Sequence, residues 1–378
     1  MPSTSYISDL PRRLPGVALA AAVMLVSGWL AGVLGAGVLR LQGLDPAGRA
    51  SPVSGIIVAI LVGIAIGNLV RFGPFFRGGF EFSIRKVLRF GIILVGLRLS
   101  FLDVVKLGAW GVPMIAVIIA TALVVTVFLA RKLGVSDKLG ILTAAATSIC
   151  GVTATVAVAP VIEADDQEVA YTIANVTLFG ILAMFLYPWL AHALFASVPA
   201  SAGLFLGTAI HETSQVMGAA LSYKDVFNDD LAFKTATITK LTRNVFLVAV
   251  IPMLGWFHAR REGKAGKQLS ILKLFPVFVL GFLAAAIIRS TGEATLGSSG
   301  LAFGVWNTAA WKALVTMIGE KWSYWALGTA MAAVGLTTDL RVFKTLGMRP
   351  VYLGAIVTLL VAALSLALSA LIGPLIGT

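Results

Sequence analysis

Apolar residues fall in long runs along this chain, and short clusters of charge separate them. Leu14 to about Leu39 is the first run; others cover roughly 52–70, 87–102, 109–130, 169–191, 233–257, 274–289, 323–338 and 350–373. A helix crosses the hydrocarbon core of a bilayer with about 20 apolar residues, so these runs read as membrane spans. They lack the alternation of apolar and polar residues that marks a membrane β-strand. The pattern predicts an all-α polytopic membrane protein that forms a single integral domain over 1–378.

Two further runs are apolar but interrupted. Segment 139–162 carries Thr147-Ser148-Ile149-Cys150-Gly151-Val152-Thr153 in its middle, and segment 201–222 carries His211-Glu212-Thr213-Ser214-Gln215. Consecutive polar side chains at membrane depth are costly and mark function. The two breaks read as halves of one site.

The order of the runs contains a repeat. Val95-Gly96-Leu97, followed by Lys106-Leu107-Gly108 and Pro113, matches Val334-Gly335-Leu336, followed by Lys344-Thr345-Leu346-Gly347 and Pro350. Each interrupted segment also precedes a span with a Pro-x-Leu ending, Pro188-Trp189-Leu190 and Pro252-Met253-Leu254. The first repeat covers 52–191; the second covers 201–373 in permuted order; 14–39 stands before both. If the interrupted segments crossed the membrane, one repeated pair would keep its direction while another inverted. If they dip in and return, every repeated span is inverted. The expected architecture is therefore an inverted-repeat secondary transporter with about nine full spans and two re-entrant hairpins, the alternative being eleven spans with two broken helices.

Composition sharpens this picture. The chain is 58% hydrophobic and 12% charged, against about a quarter charged in a soluble domain. The net charge of +12 sits largely in short loops. There it sets orientation, with no nucleic-acid partner implied. The basic loops 71–86, 131–138, 258–273 and 341–349 all fall on the cytoplasmic side, and so does the N-terminus. The first run is too long for the apolar part of a cleavable leader and reads as a retained span. One cysteine, Cys150, excludes an internal disulfide and a cysteine-based metal framework. No nucleotide-binding or zinc-protease motif is visible, so the reading is not an enzyme, with no metal and no cofactor.

The candidate binding residues are Thr147, Ser148, Cys150, Gly151, Thr153, His211, Glu212, Thr213, Ser214, Gln215, Lys240, Arg243 and Asn244. The hydroxyls and the amide offer donors to an anion, the glycine lets backbone approach it, and half-helix N-termini add N–H groups. Lys240, Arg243 and Asn244 share one helix face. Arg243 lies deep enough to need Glu212, a carbonyl cluster or a bound anion as its partner, and its planar fork suits an oxyanion. Lys240 has the alternative of reaching out to the membrane surface. Asn175 takes the corresponding place in the first repeat, and Arg98 and Asp339 end repeated spans as outer-layer or anchoring residues.

Three of these stretches carry a resemblance. Ser148 to Gly151, Gly207 to Val216, and Lys240 to Asn244 resemble the YeiH family of bacterial inner-membrane proteins, often labelled sulfate exporters. The similarity runs through nearly the whole chain after the first span. It implies a multi-pass protein of the inner (plasma) membrane that exports a small anion, sulfate or sulfonate-like. Its partners are then the anion, membrane lipid, a possible coupling proton or cation, and a possible second copy of the chain. Two alternatives stay open: a proton- or cation-coupled antiporter that titrates His211 and Glu212, and, more remotely, an intramembrane thiol enzyme using Cys150.

Overall fold

A computed structural model describes residues 10–41, 45–47, 51–261, 276–341 and 347–376. All named elements among them are helical. In chain order they are α1 (Leu10–Leu41), α2 (Gly55–Leu69), α3 (Pro74–Phe82), α4 (Leu88–Val95), α5 (Phe101–Lys132), α6 (Asp137–Ser148), α7 (Val152–Val158) and α8 (Asp166–Phe195). Then follow α9 (Pro199–Ala209), α10 (Thr213–Phe227), α11 (Asp230–Val245), α12 (Leu247–Arg261), α13 (Val277–Ser299), α14 (Thr308–Val315), α15 (Ser323–Thr337) and α16 (Met348–Ile376). Among the described residues, six helical stretches are long and apolar enough to cross a membrane: Arg13–Leu41, Val104–Lys132, Asp166–Phe195, Asp230–His258, Val277–Ser299 and Met348–Ile376. The chain is thus a multi-pass helical membrane protein.

Several boundaries differ from those read in the sequence. The basic stretch 71–86 is largely helix: α3 starts at Pro74, and a π-helical turn, Ser83–Val87, joins it to α4. Arg77, Arg85 and Lys86 ride on helix faces there, where a long basic side chain can lie along apolar surface. Stretch 290–321 is also mostly helical, through the end of α13, then α14 and the π-helical turn Thr316–Trp322. The interrupted segments begin about half a turn earlier than expected, at Asp137 and Pro199, and the second runs on to Phe227. Parts of loops 258–273 and 341–349 lie outside the described residues.

The chain divides into two compact units. One holds 1–105, 221–228 and 277–340. In it α2 and α15 run parallel and close: a Cβ on Gly63 would meet Ala332 and Gly335, and one on Gly67 would meet Leu336. Asn68 fastens the end of this pair through the Thr338 carbonyl (2.8 Å) and the Leu340 N–H (3.0 Å). Between apolar helices in lipid, close backbone approach at small residues replaces hydrophobic driving force. A second pair is built likewise, with Gly96 against Phe282 and Ala285, and Gly281 against Ile93.

The other unit holds 106–220, 229–276 and 341–378. Its central rod is α11 with α12, slightly broken at Phe246. Two chain reversals flank that rod. The first is α6 and α7: Lys138 Nζ donates to the Glu163 carbonyl (2.7 Å), and Ser136 Oγ to Glu168 (2.6 Å). A helix rises 1.5 Å per residue, so a chain that ran straight on from Asp137 would carry Glu163 about 40 Å away. The chain has instead turned back at Ile149–Gly151. The second is α9 and α10. Gly203 meets Ala232 and Thr235, and Gly207 meets Ala236 and Thr239, so α9 runs parallel to α11. α10 must then return to the level where α11 begins.

Candidate functional site

The two turning points meet beside the middle of the α11–α12 rod. The first reversal lies along α12: Ile141, Leu142, Ile149, Cys150 and Val158 share an apolar cluster with Leu247, Val250, Ile251 and Leu254, and Val161 touches Gly255. The second lies along α11. They approach from opposite ends of the rod, and a Cβ on Gly151 would sit 3.4 Å from Glu212 Cβ. Lys240 to Asn244 stand at this level, about 15 to 21 Å along a rod that starts at Asp230.

Local backbone chemistry explains the arrangement. α6 and α9 each end at a turning point, and the last carbonyls of a helix have no intrahelical donor. In lipid such groups cannot be left to water. Lys240 Nζ donates to the carbonyls of Ile149 (2.9 Å), Ile210 (3.2 Å) and His211. Arg243 donates through Nε to Ser148 (2.7 Å), through Nη1 to Thr208 (2.7 Å) and Ile210 (3.2 Å), and through Nη2 to Thr147. Both side chains are fully buried. Two cations therefore close two helix C-termini, where the helix dipole also favours positive charge.

This selects among the alternatives that the sequence leaves open. Lys240 does not reach toward the membrane surface: its three protons go inward to carbonyl oxygens. Arg243 takes the carbonyl cluster as its partner, so its planar fork is spent on the turning points and is not open to grip an oxyanion. A charged donor is held by several carbonyl dipoles without a carboxylate when the geometry lets all of them converge.

His211 bridges further. Its Nδ1 donates to the Thr147 carbonyl (3.1 Å), because a carbonyl can only accept, and its Nε2 meets Thr358 Oγ1 on α16 (2.9 Å). It too is fully buried. Thr147 and Ser148 turn their hydroxyls back on their own helix, to Thr143 (2.8 Å) and Ala145 (3.3 Å), and contribute carbonyls to the site. Cys150 is a buried free thiol. Gly151 has φ 54° and ψ −115°, a backbone region open essentially to glycine alone.

The face left accessible is different in kind. Thr153 is exposed, and Glu212 and Thr213 are partly so. Glu212 accepts the Val216 N–H on its carbonyl (2.9 Å), so it caps α10. Asn244 donates to Thr213 Oγ1 (3.1 Å), while its buried Oδ1 has no hydrogen-bond partner among the described residues. Ser214 and Gln215 are buried in the first turn of α10. Gln215 donates to the Thr177 carbonyl (3.2 Å) and lies against Gly180 on α8.

The outer-layer candidates lie elsewhere. Asn175 donates to the Pro350 carbonyl and ties α8 to α16. Arg98 and Asp339 belong to the other unit, where Arg98 is half-buried 3.8 Å from Glu320 and Asp339 is exposed. Thr358 escaped the sequence reading, since a single threonine in an apolar span carries no signal. So did Asp225 of the other unit, which accepts from Ser54 Oγ (3.1 Å) and the Tyr324 hydroxyl (3.3 Å).

The comparisons with known proteins agree on one family. Residues 16–354 match the family described as conserved hypothetical protein 698. A UPF0324 membrane protein of Nitratidesulfovibrio vulgaris is 32% identical over 370 residues, 96% of this chain and 94% of the relative. One from Fusobacterium nucleatum is 30% identical over 327 residues, 85% and 91% of the two chains, and one from Haemophilus influenzae is 32% identical over 314 residues, 81% and 85%. This chain belongs to the conserved hypothetical protein 698 family of UPF0324 membrane proteins, the group named YeiH.

Proposed function

We propose that this protein is a secondary transporter of a small anion, with its ligand at the two turning points. One observation carries the reading: two chain reversals meet at mid-rod over Lys240 and Arg243, with Glu212 as the one carboxylate among the turning-point residues. The local formal charge is positive, and two half-helix N-termini add to it. An anion is the ligand that balances it. Thr153 and Thr213 supply hydroxyl donors on the accessible face; the buried cations act through their field and by holding the turning points in place.

The inverted-repeat reading rests on the reversals and on the paired helices of the other unit. Gly96 and Gly335 are matched positions of the repeated Val-Gly-Leu motif. Gly335 packs on α2 and Gly96 on α13, each in a parallel pair. On this reading α6–α7 and α9–α10 are re-entrant hairpins. Each end-to-end rod (α1, α2, α3–α4, α5, α8, α11–α12, α13, α14–α15, α16) crosses the membrane once. The end of the second unit with Arg131, Lys132, Lys138, Arg260 and Arg349 is then cytoplasmic, and so is the N-terminus, in a bacterial inner membrane. Alternating access works by movement of the unit that holds both reversals.

A second reading, proton- or cation-coupled exchange without an anion, is favoured by the accessible surface of Glu212. Catalysis by Cys150 is not part of either reading: the thiol is buried, and both ring nitrogens of His211 are engaged. The test is uptake into proteoliposomes of labelled sulfate, sulfite, methanesulfonate, acetate and chloride. Accumulation of one anion class that is lost in Thr213→Val supports the first reading. Proton flux that no added anion changes supports the second.

A further inference from the structure

α10 starts directly after Glu212, whose backbone carbonyl accepts the Val216 N–H, and the first-turn N–H groups of a helix this long are a natural anion site. A carboxylate tethered at that position competes with any free anion. A second, independent observation lies beside it: the buried Asn244 carboxamide touches Thr213 through its nitrogen and leaves Oδ1 without a donor among the described residues. An acceptor kept unpaired at low dielectric suits a site that at some stage holds one proton more.

The charged and titratable groups around Glu212 are few. Lys240 and Arg243 face it from α11, Cys150 from the first turning point, and His211 precedes it in the chain. Lys240 spends all three protons on carbonyl oxygens, so it acts on Glu212 through its field alone. His211 holds the two turning points and α16 together, and moving its proton would break that bridge. Cys150 is buried. Glu212 is the titratable group of this set with accessible surface.

We infer that Glu212 is the coupling group of the transporter: one proton taken up by its carboxylate releases the α10 N-terminus to a divalent oxyanion, and the two are carried together. The inference rests on the anion reading above. The charges balance. With Glu212 ionised, Lys240 and Arg243 leave one net positive charge; with it protonated they leave two, which a dianion such as sulfate neutralises. The proton comes from the aqueous phase on the side where the anion enters. It returns to water on the other side, when the carboxylate reoccupies the helix end and displaces the anion.

The experiment is titration calorimetry of the purified full-length protein with sodium sulfate, between pH 5.5 and 8.5, in two buffers of different ionisation enthalpy. Methanesulfonate is the monoanion control. The expected result is uptake of one proton per sulfate above the pH at which Glu212 ionises, with affinity falling about tenfold per pH unit there. Glu212→Gln is expected to bind sulfate with no proton uptake and no pH dependence. Sulfate binding by the wild type with no proton uptake overturns the coupling role and leaves the anion reading standing, as does a Glu212→Gln variant that keeps the wild-type slope. Absence of binding by wild type to sulfate and methanesulfonate across the whole pH range overturns both. The wild-type measurement decides alone if Glu212→Gln does not fold.

Discussion

Lys240 and Arg243 donate to the same oxygen, the Ile210 carbonyl, each at 3.2 Å. One helix thereby grips the C-terminal ends of two others, at a depth where water cannot substitute. Removing either cation orphans several carbonyls at once. Arg243→Ala is expected to cost about 3–5 kcal/mol, the range for breaking a buried charged network. Arg243→Lys, with three donors for four bonds, should cost roughly half of that. Thermal unfolding in detergent without added anion checks this. Melting of Arg243→Ala within a degree or two of wild type would show that the guanidinium does not hold the turning points.

That expectation reverses what Arg243 suggests in the sequence. A lone arginine in a span announces itself, because few residues of that charge are tolerated there. Its partners do not, because every residue owns a carbonyl and nothing in a side chain marks the ones a helix end leaves free. The breaks at Cys150-Gly151 and His211 to Gln215 were legible for the same reason as Arg243: polar residues interrupt apolar runs. Glu212 was the nearest acid in sequence and so the obvious counter-charge, yet the carbonyls of Thr147, Ser148, Thr208 and Ile210 take that role. α3 was hidden by Arg77, whose charge imitates a loop. Thr358 was hidden because a threonine can satisfy itself anywhere on a helix.

Gly151 turns the first reversal with positive φ, and its α-carbon faces Glu212. Alanine there meets a forbidden backbone region before it meets any neighbour. Gly151→Ala should lose about 1–3 kcal/mol of stability. It should also lose anion binding, since the turn sets the spacing of the two reversals. Denaturation and sulfate titration of the same preparation test both; a variant stable and binding as wild type would remove the backbone constraint from the site.

The His211–Thr358 contact joins the second turning point to α16 at 2.9 Å. Thr358→Val keeps the shape and removes the hydroxyl, which leaves a buried ring nitrogen unpaired at a cost of about 1–3 kcal/mol. His211→Phe alone should cost at least as much, because the Thr147 carbonyl loses a donor as well. The double variant should cost less than the sum, with a coupling of about 0.5–3 kcal/mol. Strict additivity in the unfolding free energies would mean that the bridge carries no energy of its own.

The ends of the two reversals make opposite predictions about sidedness. Asp137 and Asp166 flank the first reversal; both are exposed, and the bonds from Lys138 to Glu163 and from Ser136 to Glu168 hold its ends at one level. Ser197 and Asp230 flank the second, at the other end of the unit, where Ser201 meets Gly373. In a background with Cys150→Ala, single cysteines at 137 and 166 should therefore react with an impermeant maleimide from one face of the membrane. Those at 197 and 230 should react from the opposite face. If each reversal were a spanning broken helix, the two members of a pair would label from different faces. The basic residues at the Asp137 end predict which face is which: cysteines at 137 and 166 should be protected in intact cells and labelled in inverted vesicles. Labelling of 137 from outside and 166 from inside would rule out the hairpin, and with it the placing of both turning points at one mid-membrane site.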